Sequence, residues 1–171
     1  MKGGFWSRLD ILTRQSTPFL LTLALVIINQ VPIHIPGFSQ VMPLLPLMAI
    51  YHWALFRPEL MPAYAVFIIG LMQDALSGTP VGINALVYLA VYGAVLSQER
   101  FFSGKSFVVV WLGFGLIAAA ASLAVWALVS AWYAAIVAPQ AVIFQYLLTT
   151  GFFPVVVWVF LRWQKSVLGS V

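Results

Sequence analysis

Apolar residues fill this chain in long blocks, and proline, glycine and charge mark the breaks between them. A helix needs about 20 apolar residues to cross ~30 Å of hydrocarbon, so blocks of this length predict membrane-spanning helices. The first block covers about 17–31 and stops at Pro32 and Pro36. The second covers about 39–56; Pro43 and Pro46 predict an irregular start, and Arg57-Pro58 closes it, because the residue before proline disfavours helix. The third, about 61–77, opens near Pro62 and ends at Gly78, a residue suited to the left-handed C-cap. Thr79-Pro80 then reads as N-cap and first-turn proline of the fourth block, about 80–97, making a tight hairpin. The fifth begins near Ser106, and its uncharged run to Val137 exceeds one untilted crossing, so Trp132 and Tyr133 are expected at the membrane surface. The sixth runs from about Pro139 to Leu161 with a kink expected at Pro154.

Charge orients these six spans. Lys2, Arg8 and Arg14 precede the first, Arg57 follows the second, Arg100 and Lys105 follow the fourth, and Arg162 and Lys165 follow the sixth. The alternate gaps, about 32–38, 77–80 and 131–139, hold no Lys or Arg. Basic residues stay on the cytoplasmic side, so the expected fold is an all-α polytopic membrane protein of six transmembrane helices with both termini inside. Residues 1–171 read as a single six-helix domain, with 1–16 a cytoplasmic interfacial segment. Within it, 4–15 reads either as a helix with Phe5, Trp6, Leu9 and Leu12 on one face or as a flexible basic tail. Trp53, Trp163 and Trp6 are expected at the inner interface. The basic start is followed by no small-residue cleavage site, so the first span is expected to be retained.

Composition agrees. The chain is 63% hydrophobic and 7% charged, with a mean hydropathy of +1.04, too little polar surface for a water-soluble domain of this length. The net charge of +4 reads as orientation and contact with anionic lipid, not as nucleic-acid binding. The absence of cysteine excludes disulfides, thiol nucleophiles and thiolate metal sites.

Candidate chemistry is sparse. Asp10, Glu59 and Glu99 belong to inner-side gaps, which leaves Asp74 as the acid at the outer end, one turn before the end of the third span. An ionised Asp at a helix centre costs about 2.5–3.5 kcal/mol on insertion scales, less near an interface, so it needs a partner. Asn29, Gln30, His34, Gln73, Ser77, Thr79 and Asn84 are polar residues expected near its level. Three readings stay open: Asp74 accepts hydrogen bonds from Asn84 or free N–H groups opening the fourth span; it meets a cation of a partner protein; or it binds an ion or proton. If internally paired, Asp74→Asn is expected to be nearly silent. His34 and His52 lie too far apart in depth to share a metal, and no catalytic set is visible, so no cofactor and no enzymatic activity are expected. Gly113, Gly115, Ala118 to Ala121, Ser122 and Ala124 permit close helix packing, within the chain or with a partner.

Two stretches carry a family resemblance. Tyr51-His52-Trp53-Ala54-Leu55-Phe56-Arg57-Pro58, followed by Gly70-Leu71-Met72-Gln73-Asp74-Ala75-Leu76-Ser77-Gly78-Thr79-Pro80-Val81-Gly82-Ile83-Asn84-Ala85, resembles the bacterial rod shape-determining protein MreD. That family shows a Trp-x-x-x-Arg-Pro end to its second span and Gly-Leu-x-x-Asp-x-x-x-Gly-x-Pro-Leu-Gly-x-Asn-Ala across the next hairpin. Val81 stands where Leu is usual. The resemblance implies a non-enzymatic inner-membrane component of the peptidoglycan elongation machinery. It would bind MreC and work, directly or through MreC, with RodA and a class B penicillin-binding transpeptidase, linked to MreB filaments. Asp74, Gly78, Pro80, Gly82 and Asn84 become the partner-binding or structural hairpin, and Trp53, Arg57 and Pro58 an inner-side motif. The family is also similar in fold to the substrate-binding subunits of energy-coupling-factor transporters. A vitamin-type transporter subunit, with the outer polar residues lining a pocket, is therefore the rival reading.

Overall fold

The computed structural model describes residues 4–31, 41–102 and 104–167. Six α-helices follow one another: α1 (Gly4–Ile28), α2 (Leu45–Phe56), α3 (Ala63–Ser77), α4 (Ile83–Phe102), α5 (Phe107–Trp132) and α6 (Pro139–Val167), with one 3-10 turn at Pro58–Leu60. No strand occurs among the described residues. Phe107–Trp132 and Pro139–Trp163 are each long and apolar enough to cross a membrane.

α1 departs from the expected division between an interfacial segment and a first span. It is one continuous helix through Pro18, whose carbonyl accepts the Thr22 hydroxyl at 2.7 Å. The expected stops at Pro32 and Pro36, and His34, lie outside the described residues.

α2 differs most from its expected 39–56 span. At 12 residues and about 1.5 Å per residue it reaches only about 18 Å, well short of the hydrocarbon thickness. Every residue from Pro46 to Leu55 is buried, so it has no polar face: it is the central helix, packed against α1, α4, α5 and α6. Tyr51 anchors it. Its hydroxyl donates to the Val110 carbonyl on α5 at 3.0 Å, and its ring meets Phe114 and Phe153 edge-on at 5.2 and 5.7 Å. Phe114 and Phe153 stack at 4.0 Å. Gly113 makes room beside them, since a Cβ there would meet the Phe102 ring and the Tyr51 hydroxyl.

Residues 41–44 are not helical, as Pro43 and Pro46 led us to expect. Such backbone is tolerated in an apolar setting only when protein satisfies its polar groups. α6 does this with two side chains one turn apart: Leu44 N–H donates to Thr149 Oγ1 at 3.0 Å, and Gln145 Nε2 donates to the Met42 carbonyl at 3.0 Å. The α5 and α6 helices are further tied by Trp111 Nε1 donating to the Thr150 carbonyl at 2.9 Å.

Successive helices alternate in direction. The Gln30 amide at the end of α1 donates to Ser77 Oγ at the end of α3 at 3.3 Å. At the opposite end Leu55, Glu99, Lys105 and Leu161, from α2, α4, the α4–α5 loop and α6, line one cavity. Arg57, Arg100, Lys105 and Arg162 are therefore gathered at one end of the bundle, and Asp74 lies at the other. Trp53, expected at the inner interface, is instead fully buried, because α2 is enclosed by other helices; its ring lies 5.7 Å from Phe160.

Thr149→Val should leave the Leu44 N–H without an acceptor at no change in side-chain shape. The expected loss is about 1–3 kcal/mol, read as a lower unfolding temperature of the purified protein in detergent.

Candidate functional site

Asp74 lies on the last turn of α3 and is completely buried. α3 ends at Ser77 and the chain turns through Gly78 in the left-handed region, φ +68°. Gly82 has φ +105°, and α4 begins one residue later. At both glycines a Cβ would meet nothing, so the requirement is conformational rather than steric.

This path aims the opening N–H groups of α4 back at Asp74. Oδ2 accepts from Gly82 N–H at 2.8 Å and from Ala85 N–H at 3.4 Å. Oδ1 accepts from Asn84 N–H at 3.0 Å, from Asn84 Nδ2 at 2.8 Å and from Thr79 Oγ1 at 2.8 Å. Asn84 Nδ2 also reaches Thr79 Oγ1 at 3.3 Å. An α-helix leaves its first N–H groups unsatisfied, and negative charge is favoured there. Asp74 meets that need from the neighbouring helix.

Two sequence expectations are corrected by this geometry. Thr79 is not the N-cap of α4 and Pro80 is not in its first turn, since the helix starts at Ile83. The capping oxygens come from Asp74, so the five residues between Ser77 and Ile83 are free to form the turn. Asp74→Asn cannot be silent for an internally paired Asp74 either. All five partners donate, and whichever way an amide is turned, its NH₂ faces N–H groups that can only donate.

Close helix contact makes the capping possible. A methyl group on Gly70 would overlap the Ala85 backbone, so α3 and α4 touch one turn below Asp74, next to a donor that Asp74 receives. At the same end Gln73 Nε2 donates to Ser77 Oγ at 2.7 Å, and Ser77 Oγ donates to the Gln73 carbonyl at 2.6 Å. Gln30, just beyond α1, joins this set, whereas Asn29 Oδ1 and Gln73 Oε1 are buried with no hydrogen-bond partner among the described residues.

The inner-side motif is separate from the hairpin. Trp53 is buried, Arg57 caps α2 by donating its N–H to the Trp53 carbonyl at 2.8 Å and lies 3.6 Å from Glu59, and Pro58 opens the 3-10 turn. His52 packs among Trp53, Phe56 and Phe160 rings at 4.9 to 5.2 Å. Of the small residues of α5, Gly115, Ala118, Ala121 and Ser122 are buried, and Gly115 faces Tyr146 and Thr150 of α6, whereas Ala120 is exposed.

Sequence reasoning passed over Gln145, Thr149 and the role of Gly70. Gln145 and Thr149 carried a signal, two polar residues four apart in an apolar block. Gly70 carried none beyond its place in the motif. No group of three or more His, Cys, Asp or Glu able to hold a metal occurs among the described residues. A cavity lined by Leu44, Asn84, Ser122, Trp126 and Gln145 holds about 140 Å³, and Asp74 does not line it.

The family model described as rod shape-determining protein MreD matches residues 10–165. Comparison with curated proteins and with solved structures gives no match.

Asp74→Asn should lower stability by about 1–3 kcal/mol, the cost of facing donors with a donor. Gly70→Ala should cost a similar ~1–3 kcal/mol through overpacking against Ala85. Gly78→Ala should cost about 1 kcal/mol through its left-handed backbone. Unfolding of each variant in detergent measures all three; a wild-type curve for Asp74→Asn would refute the capping role.

Proposed function

The chain belongs to the MreD family of rod shape-determining proteins, and from that premise we propose that it is a non-enzymatic adaptor of the bacterial elongation machinery. Membership carries a role in rod-shape determination and, with the apolar helices, association with a membrane. In this reading the protein crosses the cytoplasmic membrane six times with both termini inside, binds MreC, and supports peptidoglycan synthesis by RodA and its class B transpeptidase directly or through MreC. The basic residues collected at one end of the bundle support that orientation. α2 crosses as the enclosed central helix, completed on the outer side by the segment held by Gln145 and Thr149. In this proposal α1 crosses as one continuous helix whose N-terminal end reaches the cytoplasmic interface.

The observation that carries the reading is the family match along nearly the whole chain. In this proposal MreC docks at the hairpin. Because Asp74 is enclosed and surrounded by donors of its own chain, it offers no charge to a partner, and an ion pair with MreC is not part of the proposal. The hairpin instead presents exposed Leu76, Val81 and Leu86 on a rigid frame. These suit the apolar flank of a single transmembrane helix, where shape and close packing decide association.

A small-molecule transporter subunit is less well supported. Its ligand would have to enter at the outer end, where a cavity among the described residues holds about 140 Å³, below the ~300–1,000 Å³ of ordinary small-molecule pockets. The likeness in fold to energy-coupling-factor subunits is a proposal of the same rank. A stoichiometric small ligand in native mass spectra of the purified protein would reverse the preference.

Tryptophan is tolerated facing lipid but blocks close helix docking. Leu76→Trp and Leu86→Trp should lower the MreC co-purified from detergent-solubilised membranes by about fivefold or more, a difference of about 1 kcal/mol, and give rounded cells. Leu147→Trp, on the exposed face of α6, should change neither. Undiminished MreC capture and normal rods with both hairpin variants and with Gly78→Leu would refute docking at this hairpin.

A further inference from the structure

The basic end of the bundle contains a cavity of about 430 Å³ between the ends of α2 and α4, the start of α5 and the last turns of α6. Most of the described residues lining it have apolar side chains, and Glu99 and Lys105 are the charged ones among them. Phe56, Phe107 and Leu161 on its walls are exposed, so its rim is hydrocarbon-like. Lys105 Nζ lies 5.5 Å from the Phe101 ring centroid. Glu99 and Lys105 are not joined to each other; the ion pair among the described residues is Arg57 with Glu59.

A second cavity at the same end makes the contrast. It holds about 400 Å³ and is walled by Phe19, Leu60, Tyr64 and Ile68, but the charged residue among its described lining is Glu59, already beside Arg57. Among the described residues it offers no cation.

We propose that the Glu99–Lys105 cavity binds a phosphatidylethanolamine molecule, with an acyl chain against the apolar walls, the phosphate toward Lys105 and the ammonium toward Glu99. A cation at an apolar cavity of this size selects a lipid phosphate. Adding an acid at the same mouth penalises an anionic headgroup and favours one that carries its own positive charge. A zwitterionic ethanolamine headgroup matches both charges, and its primary ammonium can donate to Glu99. The site rests on the proposed orientation only for which leaflet supplies the lipid.

Native mass spectrometry with equimolar phosphatidylethanolamine and phosphatidylglycerol of identical chains tests this. The protein should retain one phosphatidylethanolamine in preference by about two- to fivefold, the size expected of a partly exposed ion pair. Glu99→Gln should remove the preference, Lys105→Ala should reduce retention of both lipids, and Glu59→Gln should change nothing. A preference for phosphatidylglycerol, or retention unaffected by Lys105→Ala, would overturn the site. Orientation is read separately. The chain lacks cysteine, so Ser106→Cys should resist a membrane-impermeant maleimide added to intact cells. Labelling from outside would overturn the assignment to the cytoplasmic leaflet.

Discussion

A carboxyl group buried in an apolar bundle must be surrounded by donors, and in this protein the donors are the start of the next helix. Removing a charge from water costs several kcal/mol unless hydrogen bonds replace the hydration. Asp74 receives five, three of them from backbone N–H groups that α4 would otherwise leave unsatisfied. Two unfavourable features cancel each other, and neither could be kept without the other. The arrangement also sets distances. Ala85 can reach Asp74 only if α3 and α4 approach to backbone contact, and Gly70 permits that approach. Once α4 is seated on α3, its other flank is positioned to enclose α2.

The centre of the bundle follows a related rule. α2 is short and buried on every side, and the chain before it is irregular. That irregularity would be costly against lipid, but it lies against α6, whose Gln145 and Thr149 serve its free backbone groups. Both ends of the molecule thus use helix side chains to satisfy another segment's backbone. At the Asp74 end of α3 the result is a hairpin with Gln73, Asp74 and Asn84 buried and Leu76, Val81 and Leu86 exposed. Such a surface is suited to packing rather than to chemistry, which agrees with a family defined by shape determination.

Much of this was legible before any coordinates. Proline and glycine act within one or two residues, so the ends of α2 and α3 fell where Arg57-Pro58 and Gly78 indicated. The start of α4 was misread because Thr79-Pro80 has the local form of a helix opening, and nothing local reveals that an oxygen five residues earlier will do the capping. Trp53 was misplaced for a similar reason. Its position at the end of an apolar block suggests a membrane surface, and only the enclosure of α2 by α1, α4 and α6 removes it from one. The motif marked Gly70, Asp74, Gly78, Gly82 and Asn84 as a set without indicating that they form one capping device.

Sequence alone determined the helical class, the order of the helices, the end at which the basic residues gather and the family, because block length, turn residues and charge placement are local properties written along the chain. Tertiary structure decided that α2 is a buried core rather than a lipid-facing span. It also decided that Gln145 and Thr149 complete the irregular segment before it. Above all it decided that Asp74 faces the backbone of α4. Each of these depends on which groups meet across helices, and hydrogen-bond complementarity between distant segments has no signature in either segment by itself.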